Sequence, residues 1–73
     1  MERIGTVERT AQGLAILRAE EPPEIGTAVV DESLDAAGRV VDVFGPVDHP
    51  YVAVTPADGR RLPELLGERL YVR

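Results

Sequence analysis

Ser33 and His49 are the sole serine and histidine of the sequence. With Asp31, Asp42 or Asp48 they nominally supply a nucleophile, a base and an orienting acid. A hydroxyl nucleophile needs a turn that exposes it and an imidazole within hydrogen-bond reach. No nucleophile-elbow pattern surrounds Ser33, which reads as part of the polar turn Asp31-Glu32-Ser33. His49, between Asp48 and Pro50, reads as a solvated loop residue. Carboxylates gather at Glu20, Glu21 and Glu24 and again at Asp31, Glu32 and Asp35. The second run lacks the glycine and terminal glutamate of a calcium loop, so both read as loop charge and no metal site is expected. Cysteine is absent, which excludes a disulfide, a thiolate ligand and a thiol nucleophile. The seven glycines are scattered singly and form no phosphate cradle, so no cofactor is expected. Arg60-Arg61, after the Asp58-Gly59 turn, is the single basic doublet and a thin basis for phosphate contact. These residues point away from an enzyme.

One segment concentrates features suited to binding instead. Asp42-Val43-Phe44-Gly45-Pro46-Val47-Asp48-His49-Pro50-Tyr51-Val52 holds two of the three aromatic side chains and two of the six prolines. Proline fixes φ and reduces the entropy lost when a loop is ordered on a partner. Phenylalanine and tyrosine supply large contact area with few rotatable bonds. On the residues alone, two roles stand level: Phe44 and Tyr51 as interface anchors, or as plugs at the ends of a small fold.

The elements that must position this segment are short and β-rich. Arg3–Arg9 alternates as a strand does, and Gly13 turns the chain into Leu14–Arg18, a hairpin with a loop longer than the tightest type. Glu20-Glu21-Pro22-Pro23-Glu24 interrupts pairing. Further strands are predicted over Thr27–Asp31, Gly38–Phe44, Tyr51–Thr55 and Arg69–Val72. Pro63-Glu64-Leu65-Leu66-Gly67 fits one helical turn, with proline at its start and glycine past its end. So small a set of strands avoids long exposed edges by closing, so an all-β, six-stranded barrel is predicted. The alternation assigns its core to Val7, Leu14, Ile16, Val29, Val40, Val41, Val43, Val52, Val54 and Leu70.

The chain has 73 residues, 44% of them hydrophobic, and reads as one domain over residues 1–73 with no internal linker. A chain of this size buries roughly 60% of its unfolded surface, so its stability margin is thin. No apolar run approaches a bilayer span and no leader is apparent, so a cytoplasmic protein is expected. The thirteen acidic residues outnumber eight basic ones, all arginine, for a net charge of −5. Phosphate affinity comes mainly from clustered cations, and stacking of bases needs several aromatics on one face. Autonomous nucleic-acid binding is therefore not expected. Acid excess without lysine suits a salt-rich cytoplasm, where repulsion is screened over a few ångströms.

The run Val40-Val41-Asp42-Val43-Phe44-Gly45-Pro46-Val47 with Pro50-Tyr51-Val52-Ala53-Val54 closely resembles the Gar family, small β-barrel subunits of archaeal H/ACA ribonucleoproteins. Arg3-Ile4-Gly5-Thr6-Val7, Gly13-Leu14, Ile25-Gly26, Val30-Asp31-Glu32, Gly38-Arg39 and Leu70-Tyr71-Val72 extend the resemblance over nearly the whole chain. Relatives are often basic and lysine-rich, so the acidic composition resembles a haloarchaeal version; the Gly-Arg-rich tails of eukaryotic relatives are missing. The resemblance implies a barrel of the translation elongation factor type. It implies a non-catalytic subunit that docks on the catalytic domain of a dyskerin-type pseudouridine synthase and promotes substrate loading and product release in guide-directed pseudouridylation of ribosomal RNA. The synthase supplies the catalytic aspartate. Guide and ribosomal RNA are then partners indirectly, through the particle. By motif position, Phe44, Gly45, Pro46, Val47, Pro50 and Tyr51 are the candidate partner-binding residues. Val30-Asp31 with Gly38–Val43 also resembles the opening of PRC-type barrels, some of which bind a ribosomal protein during ribosome maturation. That shorter pattern leaves Phe44–Val47 and Pro50-Tyr51 unexplained.

The charge reading has a direct thermodynamic consequence. Thermal unfolding should shift upward between dilute buffer and molar KCl, and the shift should shrink in a charge-neutralised variant that controls for solute exclusion. A midpoint that stays level would remove the salt-rich reading.

Overall fold

The computed structural model describes residues 1–73. Six strands form: β1 (Glu2–Ala11), β2 (Leu14–Arg18), β3 (Ala28–Val30), β4 (Ala36–Phe44), β5 (Tyr51–Pro56) and β6 (Arg69–Val72). One helical turn, α1 (Leu62–Leu65), lies between β5 and β6. All pairings are antiparallel, and the sheet closes in the order β1-β2-β5-β4-β3-β6. The expected six-stranded barrel is present. Its β1 and β4 are longer than their predicted strands and β3 is shorter.

The two long strands make closure possible. Residues 2–6 of β1 pair with β6 and residues 7–11 with β2. Likewise β4 pairs first with β3 and then, through Phe44, with β5. Register shifts between Arg3 and Gly5, Val7 and Arg9, and Val40 and Asp42 bend these strands, because an extra residue raises the local twist. At the bends the backbones nearly touch. A Cβ on Gly5 would collide with the Arg18 carbonyl oxygen, and one on Gly38 with the Thr55 carbonyl oxygen.

Two expectations need correction. The β1–β2 connection is the tightest type, a two-residue turn at Gln12-Gly13 with φ of 53° and 79°. Positive φ at both central residues is the mark of a type I′ turn, and glutamine at the first position hides that signal. The core also differs in phase. Its cluster comprises Val7, Ala15, Leu17, Ala19, Val29, Ala37, Val40, Val52, Val54, Leu65 and Leu70. Leu14 lies on the outer face instead, and Ile16, buried as expected, packs outside the central cluster, because the pairings Leu17↔Val52 and Ala15↔Val54 turn the other half of the Leu14–Leu17 run inward. Val41 is exposed at the bulge, and Val43 is half-buried against the core. The interior combines small and large side chains, Ala15, Ala19 and Ala37 with Leu17, Leu65 and Leu70. Leu17, Leu65 and Leu70 are fully buried, each burial stabilising the fold by about 2 kcal/mol. Leu65 arrives on α1, which packs against β1 and β2. Pro63 sits in the first turn of α1, and Gly67, at φ 81°, follows its end.

The weakest seam joins β3 to β6, where Val30↔Tyr71 is the single registered pair. Polar side chains reinforce it. Asp31, buried at the end of β3, accepts hydrogen bonds from the Ser33 and Asp35 N–H groups at 2.8 and 3.1 Å through Oδ1. Its Oδ2 accepts one from Arg60 Nη1 at 3.1 Å. Arg60 also donates to the Ala36 carbonyl at 2.8 Å and lies 3.6 Å from Glu68. Glu32 and Arg69, paired at 3.0 Å, add an exposed bridge across the same seam.

Burial pushes the Asp31 carboxyl pKa up, but the Asp35 and Ser33 amides and the Arg60 guanidinium outweigh it and hold the group below the usual carboxylate range. A pKa lowered by folding adds stability above the unfolded value of about 3.9, and that stability disappears as pH falls through the folded value. Asp31→Asn keeps an oxygen for the two amides and removes the charge facing Arg60. It should be less stable than wild type at pH 7 in urea unfolding, by about 1–3 kcal/mol. The gap should close as pH drops below the ordinary carboxylate value.

Candidate functional site

Ser33 and His49 lie in loops at opposite ends of β4, so they form no nucleophile–base pair. Ser33 belongs to the Asx turn made by Asp31. Its backbone N–H is what the fold uses. No three acidic or histidine side chains converge to hold a metal ion. Arg60, half of the basic doublet, is committed to the β3–β6 seam.

The candidates around the β4–β5 connection do come together. Register places Phe44 opposite Tyr51, and Tyr51 opposite Arg18 on β2. The next outward-facing row runs from Asp42 through Ala53 and Ile16 to Arg9 on β1. Phe44 and Tyr51 stack with centroids 5.7 Å apart and planes 23° from parallel. The Arg9 and Arg18 guanidinium carbons sit 5.6 and 5.8 Å from the Tyr51 centroid, within cation–π range. The Tyr51 phenol raises the already high Arg18 pKa, with Glu8 adding slightly, so Arg18 is a fixed cation. Beside this group lies a shallow groove floored by Ile16 and Ala53 and rimmed by Arg9, Leu14, Asp42 and Phe44.

The connecting loop is stiff. Gly45 adopts φ 94°, in the region that favours glycine, and a Cβ there would lie 3.0 Å from Tyr51 Cδ2. His49 N–H donates to the Pro46 carbonyl at 3.2 Å, and Ala19 N–H donates to the Pro50 carbonyl at 3.1 Å. Thus Pro50 is buried and extends the β2–β5 ladder, whereas Val47 stands 96% exposed at the tip. Phe44, at 38% exposed, lies between these extremes. Of the six candidates, Phe44, Pro46, Val47 and Tyr51 offer side-chain surface, while Gly45 and Pro50 shape the backbone that presents it.

The linear sequence places Arg9 and Arg18 in strands and Leu14 and Ile16 in the core, and marks none of them as part of this surface. They reach the patch from another hairpin through cross-strand register, for which linear spacing carries no signal. The alternation of β2 was the one available clue, and its phase was ambiguous.

The molecule is thus a small closed barrel whose surface joins stacked aromatics, two arginines and an exposed loop. The chain belongs to the Gar1/Naf1 family, whose model, described as the Gar1/Naf1 RNA binding region, matches residues 1–73. It is 28% identical over 76 residues to an uncharacterized protein of Methanothermobacter thermautotrophicus, covering 99% of this chain and 83% of that one. A second uncharacterized protein, from Methanocaldococcus jannaschii, is 33% identical over 54 residues, covering 74% of this chain and 65% of the relative. The solved structure of the Gar1 domain of Naf1 superposes with a TM-score of 0.73 at 19% identity, over 99% of this chain and 81% of that one. That likeness speaks for the fold.

The loop geometry is testable without a partner. Gly45→Ala should lower stability by about 1–2 kcal/mol in urea unfolding, since alanine is strained at this φ and crowds Tyr51. The near-ultraviolet dichroism of the tyrosines should change with it.

Proposed function

We propose that this chain is a non-catalytic barrel subunit of an archaeal H/ACA ribonucleoprotein. The observation that carries the reading is the family match across the whole chain. In this role the barrel docks on the catalytic domain of a dyskerin-type pseudouridine synthase through the face built by Phe44, Pro46, Val47 and Tyr51. The exposed Val47 and half-exposed Phe44 supply apolar area, and the ladder bond at Pro50 helps hold the loop in a docking-ready shape. The particle acts in guide-directed pseudouridylation of ribosomal RNA, with the nucleophilic aspartate on the synthase.

The subunit influences turnover if it binds one state of the synthase's substrate-holding loop better than the other. A subunit that bound both equally would shift nothing. Its effect therefore falls on loading and product release more than on isomerisation. RNA contact takes place within the particle: a net charge of −5 opposes the isolated barrel approaching a polyanion. In this reading the particle works in the cytoplasm.

Val47→Asp leaves the fold intact because the side chain is solvated, yet introduces a carboxylate into the proposed contact. It should weaken synthase binding at least tenfold or so, as should a folded Phe44→Ala variant that removes an aromatic anchor. Both should slow multiple-turnover pseudouridylation more than conversion in a preassembled, substrate-bound particle. Wild-type affinity and turnover in both variants would move the docking site to another face of the barrel.

A further inference from the structure

Arg9 and Arg18 are placed unusually for cations in an acidic chain. They come from different strands and share one tyrosine ring, each within 6 Å of its centroid. The ion pairs of the barrel use Arg60 and Arg69, and neither Arg9 nor Arg18 takes part in one. Glu8 is near enough to favour charge on Arg18 without bridging to it. The ring thus gathers two guanidiniums within 6 Å of its centroid, and neither makes an ion pair within the barrel. Two cations held on one ring without an ion-pair partner of their own keep their hydrogen-bonding forks for an anion from outside. The stack also orders both side chains in advance, which lowers the entropy cost of engaging a planar acid group.

We propose that the protein docked on this face offers carboxylate side chains to the Arg9–Arg18 pair. The inference rests on the synthase-docking reading and specifies the chemistry of the partner. Guanidinium and carboxylate match as a two-pronged hydrogen-bonding pair, and the ring shields one side of each cation from water. Phe44 and Val47 continue the same surface as apolar contact, a mixture that suits a protein face. A nucleic-acid backbone fits less well, since the rest of the barrel repels phosphate and Phe44 and Tyr51 stack on each other. Arg9 and Arg18 therefore set register and partner choice, while the apolar residues supply the salt-resistant part of the affinity.

The experiment titrates purified dyskerin-type synthase into wild type, Arg9→Gln/Arg18→Gln, Arg9→Lys/Arg18→Lys and Phe44→Ala, at about 0.1 M and about 1 M KCl. Circular dichroism first shows each variant folded. At the lower salt the glutamine pair should bind about tenfold or more weakly than wild type, the lysine pair should recover part of the loss, and the gap should narrow at the higher salt. A purely structural role for the arginines leaves that salt slope unchanged. If the glutamine pair binds like wild type at both salts while Phe44→Ala is weak, the face docks the synthase but the carboxylate proposal fails. If the glutamine pair loses affinity for guide RNA and keeps it for the synthase, the anion is phosphate and the proposal again fails. If wild type does not bind the synthase at either salt, the docking reading itself fails and takes this inference with it.

Discussion

Closure of six short strands around a narrow interior is the constraint from which the rest of this structure follows. A chain of this length has few apolar side chains to bury, and an open sheet would leave them at two edges. The barrel removes those edges only because β1 and β4 bend sharply enough to pair on both sides. Bulges supply the bends. Gly5 and Gly38 permit the backbone contacts that result, and the small side chains of Ala15, Ala19 and Ala37 are buried in the interior.

The same bends create the surface patch. With Val52 and Val54 facing inward, β5 must send Tyr51 and Ala53 outward, and pairing then lines up Phe44, Arg18, Ile16 and Arg9 beside them. Ile16 and Ala53 are nearly inaccessible although they sit outside the central cluster. The outer face is thus a small second apolar site, built by register and capped at one end by the Tyr51 stack. Closure is least supported at β3–β6, and the polar network of Asp31 and Arg60 sits there. Charge in this protein has two separate uses: arginines tied to carboxylates hold the seam, and arginines tied to an aromatic ring face outward.

Strand number and the helical turn at Pro63 and Leu65 were legible in the linear chain, because each leaves a local mark. Alternation marks strands, and proline and glycine mark ends. Leu14 and Val41 were misassigned to the core because a continuous apolar run has no phase of its own, and a bulge reverses faces without any residue announcing it. Arg60 looked like a loose cation for the same reason: its partner Asp31 is 29 positions away.

What the amino-acid sequence determined by itself is therefore the list of elements and the family to which they belong, since propensity, turn chemistry and the run from Asp42 to Val52 are properties of neighbours along the chain. What only the tertiary structure decided is which side of each strand faces in, that Pro50 supports the loop while Val47 presents it, and that Arg9 and Arg18 converge on Tyr51. These depend on cross-strand register. Register is chosen by packing the whole barrel at once, since a shift of one residue exchanges every inward side chain for an outward one.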